Sequence, residues 1–364
     1  MACFLQQAEL KLSPIANESF VVTYSESLMG ITRRNFIRLT ASSAALPMAG
    51  RFQFAEAAEV TIKIGNSFPA AHPLNVRLKA AAQQTLEKTS GRLQVRIFPD
   101  SALGGDSDMM SQVRSGALDA VCTSLLFFEA MVPSANLAGL GFGYKSYDDV
   151  WKAWDGEIGN FVRGKLSALG VTPLEKVFDN GFRQVTSSIR PIDNVQALQG
   201  LKIRVPTVRI QQSLFVSLGA APTALSIKET YSALKTHIAD GQENALTHVE
   251  FWKFYEVQQY CSLTNHMWDG LTVVCNTDKY KSLPADLRTA FETNFNAAAL
   301  QQRADMVKLN GDLKKSLAAK GLKINDVDPA PFRKKLVDSG FYKTWREAIG
   351  PQAWSLYENT VSPI

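Results

Sequence analysis

The sequence predicts an α/β protein of two lobes bridged by one long helix. Three observations predict it. The chain has 364 residues, 46% of them hydrophobic and 20% charged, a globular composition whose length suits two domains. Its first half alternates strand-like and helix-like segments, the rhythm of a largely parallel sheet. Its last third holds a helical pattern of more than thirty residues, too long for one small domain.

Taken in order, residues 60–64 alternate and are rich in β-branched side chains, and Asn66-Ser67-Phe68-Pro69 breaks the pattern. Apolar positions at helical spacing give a helix over about 74–88, stopped by Gly91, and 93–98 alternates as a second strand. A helix over about 106–115 and a strand over 120–123 follow. Gly139-Leu140-Gly141-Phe142-Gly143 lacks the spacing and the strand-to-helix setting of a nucleotide loop, and reads as a flexible turn. Residues 171–178 and 184–187 read as strands, 203–205 as a short one before Pro206. Helices are predicted over 208–218, 227–235 and 249–260. Ser282 and Pro284 open the long helix, which runs to Lys320 with Gly321 as its stop. At about 36 residues it would span roughly 54 Å and run along both lobes.

Bulk properties narrow the class. A chain this long buries a large core without metals or disulfides to staple it. A formal charge of +5, evenly spread, is not the footprint of a nucleic-acid binder. No run of 18 apolar residues suggests a membrane span.

The N-terminus suggests export. Thr32-Arg33-Arg34-Asn35-Phe36-Ile37-Arg38 precedes a weakly apolar run, 39–49, and Ala55-Glu56-Ala57 offers a small-x-small cleavage site. That order fits a twin-arginine signal over 29–57. Glu9, Glu18 and Glu26 do not suit a signal, so 1–28 is expected to be a non-native extension ahead of Met29. Removing 1–57 leaves a net charge of +4 and three cysteines, Cys122, Cys261 and Cys275. An odd number in apolar runs reads as buried free thiols, and none stands at a lipid-attachment position. The expected product is a soluble periplasmic protein.

Catalytic signatures are missing: there is no G-x-S-x-G, H-E-x-x-H or P-loop, and no closely spaced metal-type ligands. Neither a cofactor nor a metal is expected. Polar residues in apolar settings are the candidates instead. Arg204, between Ile203 and Val205, points away from both by strand alternation, and its planar fork matches a carboxylate. Arg183 stands at a turn entering a strand. Asp240-Gly241-Gln242-Glu243-Asn244 reads as a polar turn opening a helix, where Asn244 caps or binds ligand. A structural role, an internal salt bridge for Arg204 or a cap alone for Asn244, remains open for each.

The segments NGFRQVTSS, GLKIRVP, DGQENAL and KFYEVQQYCSLTNH resemble the substrate-binding proteins of tripartite ATP-independent periplasmic (TRAP) transporters, of the dicarboxylate and sialic-acid receptor kind. The similarity covers nearly the whole chain after the export signal. It implies a two-lobed type II periplasmic-binding fold with hinge strands and a long helix spanning both lobes. The lobes are expected to comprise 58–181 with about 270–308, and 182–269 with about 309–364. It also implies capture of a small organic acid and delivery to a membrane permease pair, by a monomer that is no enzyme. A ligand-presenting sensor for a membrane receptor and an exported α/β enzyme are the alternatives.

By the same resemblance Arg204 forms the salt bridge to the ligand carboxylate. Arg183 supplies a second anion or hydroxyl contact and Asn244 a further polar one. His266, in the T-N-H segment, joins a polar or water network. Sialic-acid-binding relatives also use an asparagine and a glutamate from the first lobe. The nearest positions here hold Ser67 and Ser124, with Asn66 adjacent, which favours a smaller ligand. His72, after the first strand, and Trp252 are candidates to line the pocket, Trp252 being equally suited to the core.

Overall fold

The computed structural model describes residues 58–364; the segment 1–57, with its proposed extension and export signal, lies outside the described residues. The first half follows the periodicity: β1 (Val60–Gly65), α1 (Pro73–Lys88), β2 (Leu93–Phe98), α2 (Asp106–Ser115) and β3 (Ala120–Ser124). Next come α3 (Tyr147–Trp154), α4 (Glu157–Ser167), β4 (Val171–Pro173) and β5 (Phe178–Ser187). Then β6 (Lys202–Val205), α5 (Arg209–Ser217), β7 (Ala221–Ala224), α6 (Ile227–Lys235), β8 (Gly241–Asn244) and α7 (Leu246–Phe251) lead into β9 (Tyr260–Asn276). The chain closes with α8 (Thr277–Lys281), α9 (Ala285–Ala319), β10 (Lys323–Asp326), α10 (Ala330–Asp338), α11 (Phe341–Ile349) and α12 (Pro351–Thr360).

The strands run in the order β2-β1-β3-β9-β5-β8-β6-β7, with β10 and β4 also pairing β9. Pairing is parallel where β1 meets β2 and β3, and where β6 meets β7 and β8. It is antiparallel in the middle, where β9 meets β3 and β5, and β5 meets β8. This is the two-lobed type II fold, and β5 and β9 are the strands that join its two parallel ends. Their register shifts twice, between Asp179 and Gly181 and between Arg183 and Val185. Gly181, at φ +107°, makes the first irregularity possible, because that conformation is one L side chains rarely adopt.

Helix α9 has 35 residues and serves two cores. Leu287, Phe291, Phe295 and Ala299 pack in the cluster that holds Ile64, Leu74 and Leu78, whereas Leu313 and Leu317 pack with Leu234, Phe254 and Cys261. Between them Gln302 accepts from Asp179 N and donates to Asp179 O, both at 2.9 Å, fixing the middle of the helix to the start of β5. Cys122, Cys261 and Cys275 are free and buried. Among the described residues no helix is long and apolar enough to cross a membrane.

Several local expectations are corrected. Residues 171–178 are not one strand: β4 ends at Pro173 and β5 starts at Phe178. Residues 249–260 are not one helix, since α7 ends at Phe251, Lys253 turns the chain at φ +57°, and β9 begins at Tyr260. Residues 241–244 are a buried strand rather than a polar turn, because Gln242, Glu243 and Asn244 satisfy one another and their neighbours inside the sheet. The 139–143 glycine segment does turn, Gly143 N donating to Leu140 O at 3.0 Å, but it is buried in the core, and a Cβ on Gly141 would overlap Leu214 and Leu336.

Candidate ligand site

A cavity of about 310 Å³ opens where the central strands change register. Arg183 and Asn180 of β5, Asp269 and Leu271 of β9, Arg204 of β6 and Asn244 of β8 contribute to its wall. Ser67 and Phe68 after β1, Asp106 at the start of α2, and Ser124 at the end of β3 complete the opposite side. The volume lies at the small end of the roughly 300–1,000 Å³ usual for ligand pockets.

Arg204 lines the cavity from β6. Alternation along β6 buries Ile203 and Val205 in the core and turns Arg204 to the cavity. Its Nε and Nη2 both donate to the Leu225 carbonyl, at 2.9 and 2.6 Å, and Nη1 is buried without a partner. Among the described residues no carboxylate pairs with it, so the internal salt bridge left open by the sequence is not formed there. Burial lowers its pKa to about 9, which leaves it charged at neutral pH. A buried guanidinium edge with an unfilled donor is a site for an anion.

Arg183 lines the same cavity with most of its donors already used. Its Nε lies 2.5 Å from Glu243 Oε2, and its Nη2 donates to Glu243 Oε1 and to the Glu243 carbonyl, each at 2.8 Å. Nη1 stands 3.7 Å from Asp269 Oδ2. Glu243 also accepts from Gln211 Nε2 at 3.2 Å and faces His266 Nε2 at 3.1 Å. Burial alone would raise the Glu243 carboxyl, yet the Arg183 charge and these bonds bring it to about 2. An ionised carboxylate only accepts, so His266 Nε2 donates to it and His266 Nδ1 accepts from Thr264 Oγ1, 2.8 Å away. Arg183 and Glu243 thus form a buried, nearly neutral unit.

The remaining candidates divide. Ser67 Oγ donates to Asp106 Oδ1 and Ser124 Oγ to Asp269 Oδ1, so both serines reach the cavity as supports for carboxylates. Asn244 lines it too, donating to Gln242 Oε1 rather than capping α7, whose N-cap is Ala245. Asn66, His72, His266 and Trp252 do not line it. Asn66 is bound to Asn75 and to Phe68 N; His72 caps α1, its Nδ1 accepting from Leu74 N. Trp252 stacks on His248 at 4.5 Å, and it is His248 that reaches the cavity.

Asp106, Asn180, His248 and Asp269 also line the cavity and are not among the sequence-based candidates. Asp269 carried a signal: a carboxylate between Trp268 and the apolar run 271–275. It was unreadable while β9 went unrecognised as a strand.

Residues 64–340 match the family described as bacterial extracellular solute-binding protein, family 7. The chain belongs to that family. It is 30% identical over 304 residues to the uncharacterised protein y4mM of Sinorhizobium fredii, covering 84% of this chain and 56% of that one. The chain therefore spans little more than half the length of that relative. A TRAP periplasmic solute-binding protein from Roseobacter denitrificans, with bound β-D-glucuronate, is similar at a TM-score of 0.79 and 27% identity, covering 84% of this chain and 100% of that one. Another, from Sulfurospirillum deleyianum with bound succinate, is similar at 0.78 and 28%, covering 83% and 99%. The site's geometry fits a family of solute-binding proteins: fixed donors and acceptors around a half-open cavity.

Proposed function

We propose that the chain captures a small carboxylate between its two lobes, outside the cytoplasmic membrane, and delivers it to a TRAP-type permease. The observation that carries this is Arg204, a cavity-lining arginine whose Nη1 is buried without a partner, beside the neutralised Arg183–Glu243 unit. The similar proteins with bound glucuronate and succinate support an acidic ligand. The protein acts as a monomeric binder in the periplasm, reached by the twin-arginine signal, and carries out no reaction. His266, with both ring nitrogens engaged, has no free edge for acid–base work.

Closure turns on β5 and β9, dividing the lobes into 58–181 with about 270–308 and 182–269 with about 309–364. The two register shifts and Gly181 support a hinge there. Closing the lobes removes water and strengthens the charge-assisted bonds to Arg204.

Arg204→Ala tests the reading. Removing one partner of a buried pair costs about 3–5 kcal/mol, so affinity should fall on the order of 10²–10³-fold or more. Ligand-induced thermal stabilisation should vanish while the ligand-free melting transition remains cooperative. Unchanged affinity in calorimetry, or stabilisation of the wild type by neutral sugars or amines only, would overturn it.

A further inference from the structure

We propose that the protein carries a second ligand site, on the other face of the central strands, that takes a flat aromatic carboxylate. It shares no lining residue with the cavity of Arg204 and goes beyond the capture reading above.

The site is a half-open cavity of about 610 Å³, within the roughly 300–1,000 Å³ usual for ligand pockets. Phe142, Tyr144, Tyr147 and Phe182 give it a wall of aromatic rings, and Lys145 and Arg333 give it two cations. No Asp or Glu lines it. Sheet geometry keeps the two cavities apart. Successive residues of a strand point to opposite faces, so Arg183 of β5 lines the first cavity and Phe182 the second.

The wall is built in advance. Tyr144 Oη donates to Leu137 O and accepts from Trp154 Nε1, each at 3.1 Å. Tyr147 stacks on Trp151 at 5.9 Å and meets Phe182 edge-on at 5.2 Å. Phe142 holds φ +52°, and Asn265, also in the wall, φ +43°. That region is unfavourable for a bulky side chain, and Phe142 N maintains it by donating to His266 O at 2.7 Å. Backbone strain of this kind clusters where a ligand is clamped.

The cations have no other task. Among the described residues neither pairs with a carboxylate, and Arg333 Nη2 reaches only the Pro363 carbonyl, at 3.5 Å. The carboxylates closest in sequence are committed to backbone amides. Asp149 Oδ2 accepts from Lys145 N and Asp328 Oδ1 from Ala330 N, both at 3.0 Å. Two unpaired cations beside apolar rings suit an anion with a flat apolar body. Its carboxylate takes the charge-assisted bonds, and its ring meets the aromatic edges and faces.

Calorimetry with 2-naphthoate on the Arg204→Ala protein, whose first site is impaired, provides the test. One equivalent should bind. 2-Naphthol has the ring without the charge and succinate the charge without the ring, and each should bind at least ten-fold more weakly. Lys145→Gln combined with Arg333→Gln should weaken 2-naphthoate ten-fold or more, and should remove the same equivalent when Arg204 is intact. No binding to Arg204→Ala, 2-naphthol binding as tightly as 2-naphthoate, or unchanged affinity in the double Gln variant would overturn the second site. Each would leave the Arg204 reading standing. Self-association of the wild type that the double Gln variant abolishes would mean that a second copy fills the cavity, and would overturn the small-acid assignment.

Discussion

Arg183 and Arg204 are the same residue type in the same cavity with opposite fates, decided by one carboxylate. Glu243 reaches Arg183 and does not pair with Arg204, so one guanidinium becomes scaffold and the other stays available. The sequence could not separate them, because both stand in apolar strand settings and the deciding partner is 60 positions from Arg183. What could be read was Arg204's direction, since strand alternation fixed it. The role of Glu243 predicts a stability effect. Glu243→Gln strands a buried guanidinium and should lower unfolding free energy by about 3–5 kcal/mol in urea titration. The pair Arg183→Met with Glu243→Leu should cost less than Glu243→Gln alone, because no uncompensated charge is left. Equal or greater loss in the double variant would mean that the pair's value lies in its bonds and shape and not in charge balance.

At the scale of elements, the site is made by irregular pairing of two long strands. Asn180 and Arg183 lie on either side of Gly181-Phe182, where the β5–β9 register shifts, and both line the cavity. Gly181→Ala adds a Cβ at φ +107° and 3.3 Å from Ala245 Cβ. It should cost about 1–2 kcal/mol in stability and, by displacing Asn180 and Arg183, weaken ligand binding as well. A loss of stability with affinity intact would separate the hinge glycine from the site. Regular elements with one periodicity were legible here: β1 to β3, α5, α6 and the length of α9 were all read within a residue or two. β9 was not. Its 17 residues mix the buried polar Thr264, His266 and Asp269 with apolar neighbours, hiding the alternation. The helix predicted over 249–260 likewise runs past the left-handed turn at Lys253 that ends α7. Polar site residues erase the pattern by which strands are recognised, so the site obscured its own scaffold.

For the whole molecule, burial of titratable groups ties stability to pH. Burial lowers His72 to about 3 and His248 and His266 in the same direction, the last despite Glu243. An unfolded histidine titrates near 6.5, so below that pH the unfolded chain binds protons that the native one refuses. Stability is therefore unaffected by these groups above pH 6.5 and falls as pH drops below it. His72 contributes about 1.4 kcal/mol per unit down toward pH 3. The carboxyls act in the opposite sense: burial raises Asp106 and Asp269, and takes Asp179 to about 6. Their native forms take up protons before the unfolded ones, which offsets part of the loss between about pH 6 and 4. Isolating one histidine resolves the two trends. His72→Asn keeps an acceptor for Leu74 N, so α1 retains its cap, while the titrating ring is gone. The variant should lose stability at neutral pH, where the ring no longer packs against Phe68 and Phe251, but its decline on acidification should be shallower. Urea denaturation at half-unit steps from pH 7 to 5 should show the slope below 6.5 reduced by about 1.4 kcal/mol per pH unit. A slope equal to that of the wild type would show that water or local opening reaches His72 and that its ring protonates in the folded protein.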